Sequence, residues 1–202
     1  MKIINLGHAC FKIIDEGISV IFDPYQDDSV PNLKLENNIE TNYLFVSHEH
    51  HDHNAREKVK IIPTDKVLKY EEVIVNHDDQ NGNIRGKCKA VILNFDDYSI
   101  AHLGDIGDIE DERIIDKFKG VDIILCPING YYTIGAKEAI GLINYLKPKH
   151  FIPMHYYKQD SDSGYFDNDQ IEIFLSHFDS YLKVNKEIKI NQDIKEQIII
   201  FE

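Results

Sequence analysis

The sequence predicts an α/β fold of packed β-sheets flanked by helices. Two observations support this prediction: strands come first along the chain, and strands alternating with amphipathic helices follow. The chain has 202 residues, which is a usual size for one domain and enough to bury a sizeable hydrophobic core. We therefore expect a single domain over residues 1–202.

The N-terminal part of the chain is predicted to form a β-hairpin. Lys2–Ile14 has the pattern of a strand with one interruption at Gly7-His8, and Ile18–Phe22 supplies the second strand. Pro24 ends the hairpin because proline has no N–H to donate to a sheet. Residues 25–42 are polar and aperiodic, which indicates a loop over the sheet surface and makes it a candidate lid.

The middle of the chain is predicted to supply more strands and two short helices. The predicted strands cover 43–46, 61–63, 72–75, 87–95 and 98–103. The last two form a hairpin because runs rich in Val, Ile and Leu flank the short Asp96-Asp97 turn. Short helices are expected over 54–60, capped by Asn54, and over 64–70.

The C-terminal part is predicted to alternate helices with strands. Helices are expected over 108–119, 136–146 and 169–182, where apolar residues recur at helical spacing. Gly120 ends the first of these helices and Pro148 follows the second. Buried strands are expected over 121–127 and 150–154, and the tail from 188 to 201 is expected to add an edge strand.

Composition excludes several classes of protein. The formal net charge is -13, and no basic stripe interrupts it, so a nucleic-acid partner is not expected. Three widely spaced cysteines without a CxxC pattern predict free thiols and a reducing compartment. No signal peptide or membrane-spanning run is present, so we expect a cytoplasmic protein without a membrane partner. The composition fits a protein that acts on a small-molecule substrate, which can be anionic. It is also compatible with a homo-oligomer.

A cluster of metal-binding residue types follows the strand at 43–46. His48, His50, Asp52 and His53 form the pattern H-x-H-x-D-H, and their imidazole and carboxylate groups are the ligands that zinc and related ions prefer. Alternate residues of an extended loop point the same way, so the first two histidines can share one ion while the last two residues turn toward another. His51 is left over, as an exposed residue or one that supports the ligands.

Three further residues of ligand type stand where predicted strands end: His77, Asp105 and His155. Taken singly, each also fits a plain loop, turn or strand-end role. Taken together with the H-x-H-x-D-H cluster, they predict a site for two metal ions, because a two-ion site needs ligands from several strand ends.

These motifs resemble the metallo-β-lactamase-fold metal-dependent hydrolases, and most closely the compact branch related to the ascorbate-6-phosphate lactonases. The resembling segments are Leu6–Ala9, Phe22–Pro24, the 48–53 cluster, His77-Asp78 with Arg85-Gly86, His102–Gly107, Pro127 with Gly130–Thr133, and Ile152–Tyr156. The resemblance implies a four-layer αββα sandwich with the metal site at one edge of the two sheets.

The resemblance also implies a ligand set and a reaction. His48, His50 and His77 would hold the first ion, Asp52, His53 and His155 the second, and Asp105 would bridge them. Two divalent ions, with Zn expected and Mn or Fe as alternatives, would activate a hydroxide nucleophile. Asp52 would be the catalytic residue that orients this hydroxide and passes on its proton. Asp23 and Asp78 are candidates for orienting the ligand imidazoles, although a plain turn role fits Asp23 equally well.

Three residues are candidates for substrate binding. His8 and His102 stand near strand ends on the side that bears the motifs. A structural role as a buried, hydrogen-bonded core histidine fits each of them equally well. Arg85 lies in the loop 82–86, where a guanidinium could clamp a phosphate or carboxylate, and a solvated loop charge is its alternative.

We therefore expect a metal-dependent hydrolase with a two-ion site that acts on a small ester-like substrate, either a phosphodiester or a lactone. One alternative is a non-catalytic metal- or ligand-binding protein of the same fold. A second is an iron-dependent oxidoreductase, which the chain disfavours because it has no attached flavin domain.

Overall fold

The computed structural model describes residues 1–156 and 170–202, which contain two five-stranded β-sheets. The strands are β1 Lys2–Gly7, β2 Cys10–Asp15, β3 Ile18–Phe22, β4 Ile39–Thr41, β5 Tyr43–Phe45, β6 Val59–Ile61, β7 Lys69–Asn76, β8 Lys87–Asn94, β9 Ser99–His102, β10 Ile123–Pro127, β11 His150–Met154, β12 Leu182–Val184, β13 Glu187–Lys189 and β14 Ile199–Phe201. The helices are α1 Glu112–Ile115, α2 Ala136–Leu146 and α3 Gln170–Leu175, with short 3₁₀ helices at Arg56–Lys58 and Asp116–Phe118.

Both large sheets are mixed. The first sheet has the order β13-β1-β2-β3-β5, with antiparallel pairing except between β3 and β5. The second has the order β11-β10-β9-β8-β7 and is parallel across β9, β10 and β11. Two short parallel pairs, β4 with β6 and β12 with β14, complete the described strands.

Three buried clusters show how these layers pack. Phe11 and Phe22 of the first sheet meet Leu125 of the second in the cluster between the sheets. The other face of the second sheet packs on the helices through residues such as Phe118 and Phe174. The outer face of the first sheet is covered by the chain segment 25–38, whose apolar members Tyr25, Val30 and Leu35 are buried against it. Since this segment is irregular, helices cover one sheet and loop covers the other within the described residues.

The strands follow the sequence-based expectations more closely than the short helices do. Lys2–Ile14 is two strands rather than one, because Gly7 and His8 adopt positive φ angles of 107° and 56° and reverse the chain. The β8–β9 hairpin, α2 and β11 form as expected. The tail contributes two strands, β13 and β14, instead of one.

The predictions for the short helices are wrong in several places. Asn54 does not cap a helix: its side chain bonds to Gln26 and to the carbonyl of Glu49, and only Arg56–Lys58 is helical. Residues 64–68 form no helix, and β7 begins at Lys69.

The two remaining predicted helices are shorter than expected. The helix expected over 108–119 begins at Glu112, because the side chain of Asp111 accepts the N–H of Arg113 and caps it there. In the last predicted helix, residue 169 lies outside the described part of the chain, and α3 ends at Leu175. Leu182, at its predicted end, belongs to β12.

Two further expectations concern covalent and membrane structure. All three cysteines are free and buried, as predicted. Within residues 1–156 and 170–202, no helix has the length and apolar character needed to span a membrane.

A half-buried polar link holds the start of β9, the strand that leads into Asp105. The Asp122 carboxylate accepts the N–H and the hydroxyl of Ser99 at 2.8 and 2.9 Å and pairs with Lys149 at 2.7 Å. Burial opposes ionisation of Asp122, but the bonds from Lys149 and Ser99 outweigh it and lower its pKa. This carboxylate therefore stabilises the fold above the pKa of an unfolded aspartate, and that stability is lost as pH falls through the lower folded pKa.

We expect Asp122→Ala to lower the free energy of unfolding by about 1–3 kcal/mol at neutral pH, because Ser99 loses its acceptor. Urea unfolding measures this change, and the gap to wild type should narrow at acid pH. The matched control is Asp116→Ala, which removes an exposed carboxylate that pairs with Lys119 and accepts the Tyr145 hydroxyl, and which should change stability much less because solvent screens the pair. Equal losses of stability in the two variants would contradict the stabilising role of the Asp122–Ser99 link.

Candidate metal centre

Three histidine rings from two loops meet at one end of the sandwich. His48 Nε2 lies 2.9 Å from His50 Nδ1, and His77 Nε2 lies 3.3 Å from the same atom. The first two histidines follow β5, and His77 follows β7 of the other sheet. These three side chains form one group with the spacing that a metal ion needs. The structure therefore brings together the three residues predicted to hold the first ion.

A second group of potential ligands lies beside the first. It contains Asp52, His53 and His155, the predicted ligands of the second ion, together with His8. Asp52 Oδ2 is 3.5 Å from His53 Nε2 and 3.9 Å from His155 Nε2. His155 reaches the group from the residue after β11, and its φ of 53° marks the point where the chain leaves the strand.

Asp105 lies between the two groups. Its Oδ2 atom is 3.9 Å from His48 Nε2 and 3.6 Å from His77 Nε2 in the first group. The same atom is 3.2 Å from His53 Nε2 and 3.3 Å from His155 Nε2 in the second. One carboxylate oxygen thus faces four imidazole nitrogens, which is the placement expected of a bridging ligand.

A buried carboxylate orients two of the histidines. Asp23 accepts hydrogen bonds from the N–H and the hydroxyl of Ser47, both at 2.6 Å, and contacts His53 Nδ1 at 2.9 Å. The Ser47 oxygen also lies 2.9 Å from His48 Nδ1. Because the Ser47 proton points to Asp23, this oxygen is left to accept the N–H of His48. Asp23 therefore fixes His53 directly and His48 through Ser47, and leaves the Nε2 atom of each ring facing the centre.

The local pKa values follow from burial and from these neighbours. Burial, and then the neighbouring His53, lowers the pKa of His48 to about 3, which keeps the ring neutral as metal binding requires. Burial opposes ionisation of Asp105, but His155 and His53 outweigh it and hold its pKa well below the usual range. Burial lowers the pKa of His53, but the carboxylates of Asp105 and Asp23 outweigh this effect and raise that pKa well above normal.

The donor set fits divalent metal ions. Asp23, Asp52 and Asp105 concentrate negative charge here, and no lysine or arginine of the described residues pairs with any of them. Five buried atoms have no hydrogen-bond partner within 1–156 and 170–202: His53 Nε2, His77 Nδ1, Asp105 Oδ1 and both ring nitrogens of His155. Burying polar groups and charges without partners is unfavourable in free energy, and bound cations would supply partners for these atoms.

Two glycines allow the Asp105 loop to pack against both ligand-bearing loops. A Cβ atom at Gly104 would lie 2.8 Å from the Cβ of Ser47, and the φ angle there is 55°. At Gly107 a Cβ would lie 2.5 Å from the carbonyl carbon of His77 and 2.6 Å from the amide nitrogen of Asp78. The N–H of Gly107 also donates to the Asn76 carbonyl at 2.8 Å. These contacts set the distance between Asp105 and His77.

Of the three predicted substrate-binding residues, His8 lies nearest to the potential ligands. Its Nε2 is 3.2 Å from Asp52 Oδ2, and its ring centroid is 3.9 Å from that of His155. Burial, and then the charge of His155, lowers the pKa of His8 to about 4, so its ring is neutral at pH 7. A neutral His8 donates its Nε2–H to Asp52.

The structure places His102 and Arg85 differently. His102 is fully enclosed: Nε2 lies 2.8 Å from the Ala9 carbonyl, Nδ1 accepts the N–H of Gly104, and the ring stacks on Phe22. This favours the core alternative for His102. Arg85 lies over the ring of Tyr132 at 4.7 Å, and both residues line a surface cleft that also includes Asp78, the residue after His77.

Asp78 does not orient His77, contrary to the prediction. Its two carboxylate oxygens accept four N–H groups of its own loop, from Gln80, Gly82, Ile84 and Arg85. Burial opposes ionisation of Asp78, but these bonds outweigh it and lower its pKa. His51, which was left over from the cluster, is exposed.

Sequence reasoning did not identify Ser47 or Gly107 as parts of the centre. Ser47 directly precedes the H-x-H-x-D-H pattern, and a hydroxyl beside a ligand histidine is a signal for an orienting partner. Gly107 follows Asp105 by two residues, but its role depends on the approach of His77, which nothing in the local sequence indicates.

Comparison with known proteins agrees with this geometry. A Beta-lactamase superfamily domain matches residues 2–155. A UPF0173 metal-dependent hydrolase of Staphylothermus marinus is 31% identical over 185 residues, which cover 75% of this chain and 81% of the relative. Another, from Natranaerobius thermophilus, is 26% identical over 185 residues, covering 77% of this chain and 83% of that protein.

Solved structures extend the comparison to the fold. A Thermotoga maritima protein, described as a candidate Zn-dependent hydrolase of the metallo-beta-lactamase superfamily, has a TM-score of 0.75 at 27% identity. The match covers 99% of this chain and 97% of that one. The predicted fold class and enzyme class are thereby confirmed, whereas the closeness to ascorbate-6-phosphate lactonases stays a prediction. The chain belongs to the metallo-β-lactamase superfamily and, within it, to the UPF0173 metal-dependent hydrolases.

Proposed function

We propose that this hydrolase uses two divalent metal ions, with Zn preferred, to cleave a small ester-like substrate, either a lactone or a phosphodiester. The observation that carries the proposal is the position of Asp105, whose Oδ2 atom lies within 3.9 Å of imidazole nitrogens from both ligand groups. A carboxylate in this position can serve two ions at once. The resemblance to ascorbate-6-phosphate lactonases supports the lactone.

The ligand assignment follows the two groups. His48, His50 and His77 would hold one ion, and Asp52, His53 and His155 the other, with Asp105 shared. When bound, the ions supply Lewis acidity that polarises the scissile group and makes water more acidic.

Asp52 is the protein group that we propose handles the proton. Burial opposes its ionisation, but the neighbouring His53 ring and the hydrogen bond from His8 outweigh it and hold the pKa of Asp52 far below the usual range. It is therefore a carboxylate at neutral pH. Its side chain is 29% exposed, so incoming water and substrate can reach it. Asp52 would orient the attacking water, accept its proton and deliver that proton to the leaving group.

His8 keeps Asp52 in place for this role. Its bond to Asp52 Oδ2 restricts the carboxylate, and its ring packs against His155. A bound ion would hold Asp52 as a ligand, and His8 holds it by a hydrogen bond. The net charge of -13 opposes nucleic-acid binding, which favours a small molecule as the substrate.

Purified wild-type protein should contain about two metal ions per chain, and Asp105→Ala should lose metal and hydrolysis of bis(p-nitrophenyl) phosphate and p-nitrophenyl acetate together. Elemental analysis and absorbance assays measure both properties. Asp65→Ala, which removes an exposed carboxylate, is the matched control. Protein that folds with unchanged stability without metal would contradict the two-ion site. Full metal loading without turnover in a broad hydrolase screen would instead favour the non-catalytic alternative.

Gly107→Ala should reduce metal content, because its new methyl group would collide with the backbone at His77 and Asp78 and push Asp105 away. The control is Gly141→Ala in α2, where a Cβ meets nothing within 4 Å. This control should keep its metal and gain about 0.5–1 kcal/mol of stability from the better helix former. Elemental analysis after dialysis separates the two variants, and normal metal retention in Gly107→Ala would argue against the proposed coupling of the loops.

Asp23→Asn should weaken metal binding by about 10–100-fold, because an amide replaces the carboxylate that orients His53 and Ser47. Competition with a fluorescent zinc chelator measures the affinity. Asp28→Asn, an exposed change on the same loop that keeps a residue tolerant of positive φ, should leave the affinity unchanged. Equal affinities in the two variants would show that Asp23 does not support the ligands.

A further inference from the structure

A cavity of about 590 Å³ opens beside the second ligand group. Its volume falls within the roughly 300–1,000 Å³ that is usual for small-molecule sites. Apolar side chains line much of its wall, among them these six: Leu6, Val30, Leu33, Leu35, Ile39 and Met154. Val30, Leu35 and Met154 are buried, while the other three are only half-buried. An apolar wall of this kind favours an apolar ligand group.

The cavity lies next to the metal centre. His8 and His155 both belong to its wall. His8 Nε2 is 3.2 Å from Asp52 Oδ2, and His155 Nε2 is 3.3 Å from Asp105 Oδ2. These two histidines therefore separate the cavity from Asp52 and Asp105 by the width of one side chain.

The charges around the cavity disfavour an anionic tail. Its charged lining residues are two lysines and two glutamates: Lys34, Lys186, Glu36 and Glu202. A second cleft contains Arg85, and its lining includes Gly107 and Asp78, which lie next to the backbone of His77. Its lining has more acidic than basic residues, and Arg85 lies on the Tyr132 ring. Neither space has the surplus of positive charge that would select a highly charged anion.

The loop that forms one side of the cavity is held by polar contacts at several points. Lys58 is buried and donates to the Leu35 carbonyl at 2.9 Å and to Asp27 at 2.6 Å. The Tyr25 hydroxyl donates to the Leu6 carbonyl at 2.9 Å. The Lys58 bonds tie segment 25–38 to the 3₁₀ helix at 56–58, and the Tyr25 bond ties it to β1, so the cavity is formed before a ligand enters.

We propose that this cavity receives the apolar chain of a carboxylic ester or lactone while the carbonyl group lies at the metal centre. This inference rests on the proposed function and narrows it, because it selects an acyl compound with an aliphatic or aryl chain over a phosphodiester. Leu33 and Leu6 contact the chain, and His8 separates it from the reacting group.

Binding of a product-like probe tests the inference without requiring turnover. Octanoate and acetate share a carboxylate but differ by six methylene groups. Isothermal titration of the metal-loaded protein should show octanoate binding at least about a hundredfold more tightly than acetate, since a buried methylene contributes roughly fourfold. Equal binding of the two acids would overturn the inference.

Substitutions in the wall locate the effect. Leu33→Trp should fill the cavity and abolish most of the preference for octanoate, with acetate binding unchanged. Leu33→Gln keeps a similar volume but adds a polar amide, so it should also weaken octanoate and serves as the test if the tryptophan variant does not fold. Val67→Trp is the matched control, because Val67 is 83% exposed and lies outside the cavity wall. A full octanoate preference in the folded Leu33 variants would overturn the inference.

Hydrolysis of p-nitrophenyl acetate and p-nitrophenyl octanoate separates the two proposals. A higher kcat/KM for the octanoate ester that is lost in the Leu33 variants supports both. Turnover of the acetate ester with no dependence on chain length would leave the proposed function intact and overturn the cavity inference. Selective octanoate binding without turnover of either ester, of a lactone or of bis(p-nitrophenyl) phosphate would support the cavity inference and contradict the proposed function.

Discussion

One electrostatic constraint governs the functional end of this molecule: a buried carboxylate, Asp105, faces imidazole nitrogens from four different histidines. Such a group is costly to bury unless cations or hydrogen bonds balance it. The surrounding chain satisfies Asp105 by bringing ligand side chains from separate loops close to it. The H-x-H-x-D-H loop, the residue after β7 and the residue after β11 all bring their ligands to the same edge of the two sheets. Close backbone approaches at Gly104 and Gly107 then lock the Asp105 loop between them.

The layers behind this centre are unequal, and the inequality has a functional consequence. Helices pack on the second sheet, whereas segment 25–38 covers the outer face of the first. An irregular segment can fold back over the end of a sheet where a straight helix would not. Held by Lys58 and Tyr25, it leaves an apolar cavity next to His8 and His155. The same asymmetry therefore gives the metal centre an apolar neighbour on one side and a polar cleft on the other.

Most of the fold was predictable because strand patterns here are strong. Buried runs such as His150–Met154 and the hairpin across Asp96-Asp97 formed as the sequence indicated. Short helices were not predictable, since three or four residues carry little periodicity and local side-chain bonds decide them. Asn54, for example, bonds to Gln26 instead of capping a helix. Gly7 with His8 formed a turn because both residues adopt positive φ angles.

The sequence by itself determined the chemistry: metal-ligand residue types at strand ends, their spacing in the 48–53 cluster and the acidic balance of the chain. Only the tertiary structure decided which partners meet. In the folded chain Asp23 contacts His53, and Asp78 accepts N–H groups of its own loop. His102 is enclosed and contacts the Ala9 carbonyl, and a cavity lies beside His8. The physical reason is distance along the chain. Residue type and spacing act locally, whereas Asp23 with His53 and His102 with Ala9 are contacts between residues far apart along the chain. The Asp78 bonds are local, but they depend on the turns that its loop takes, which residue type alone did not indicate.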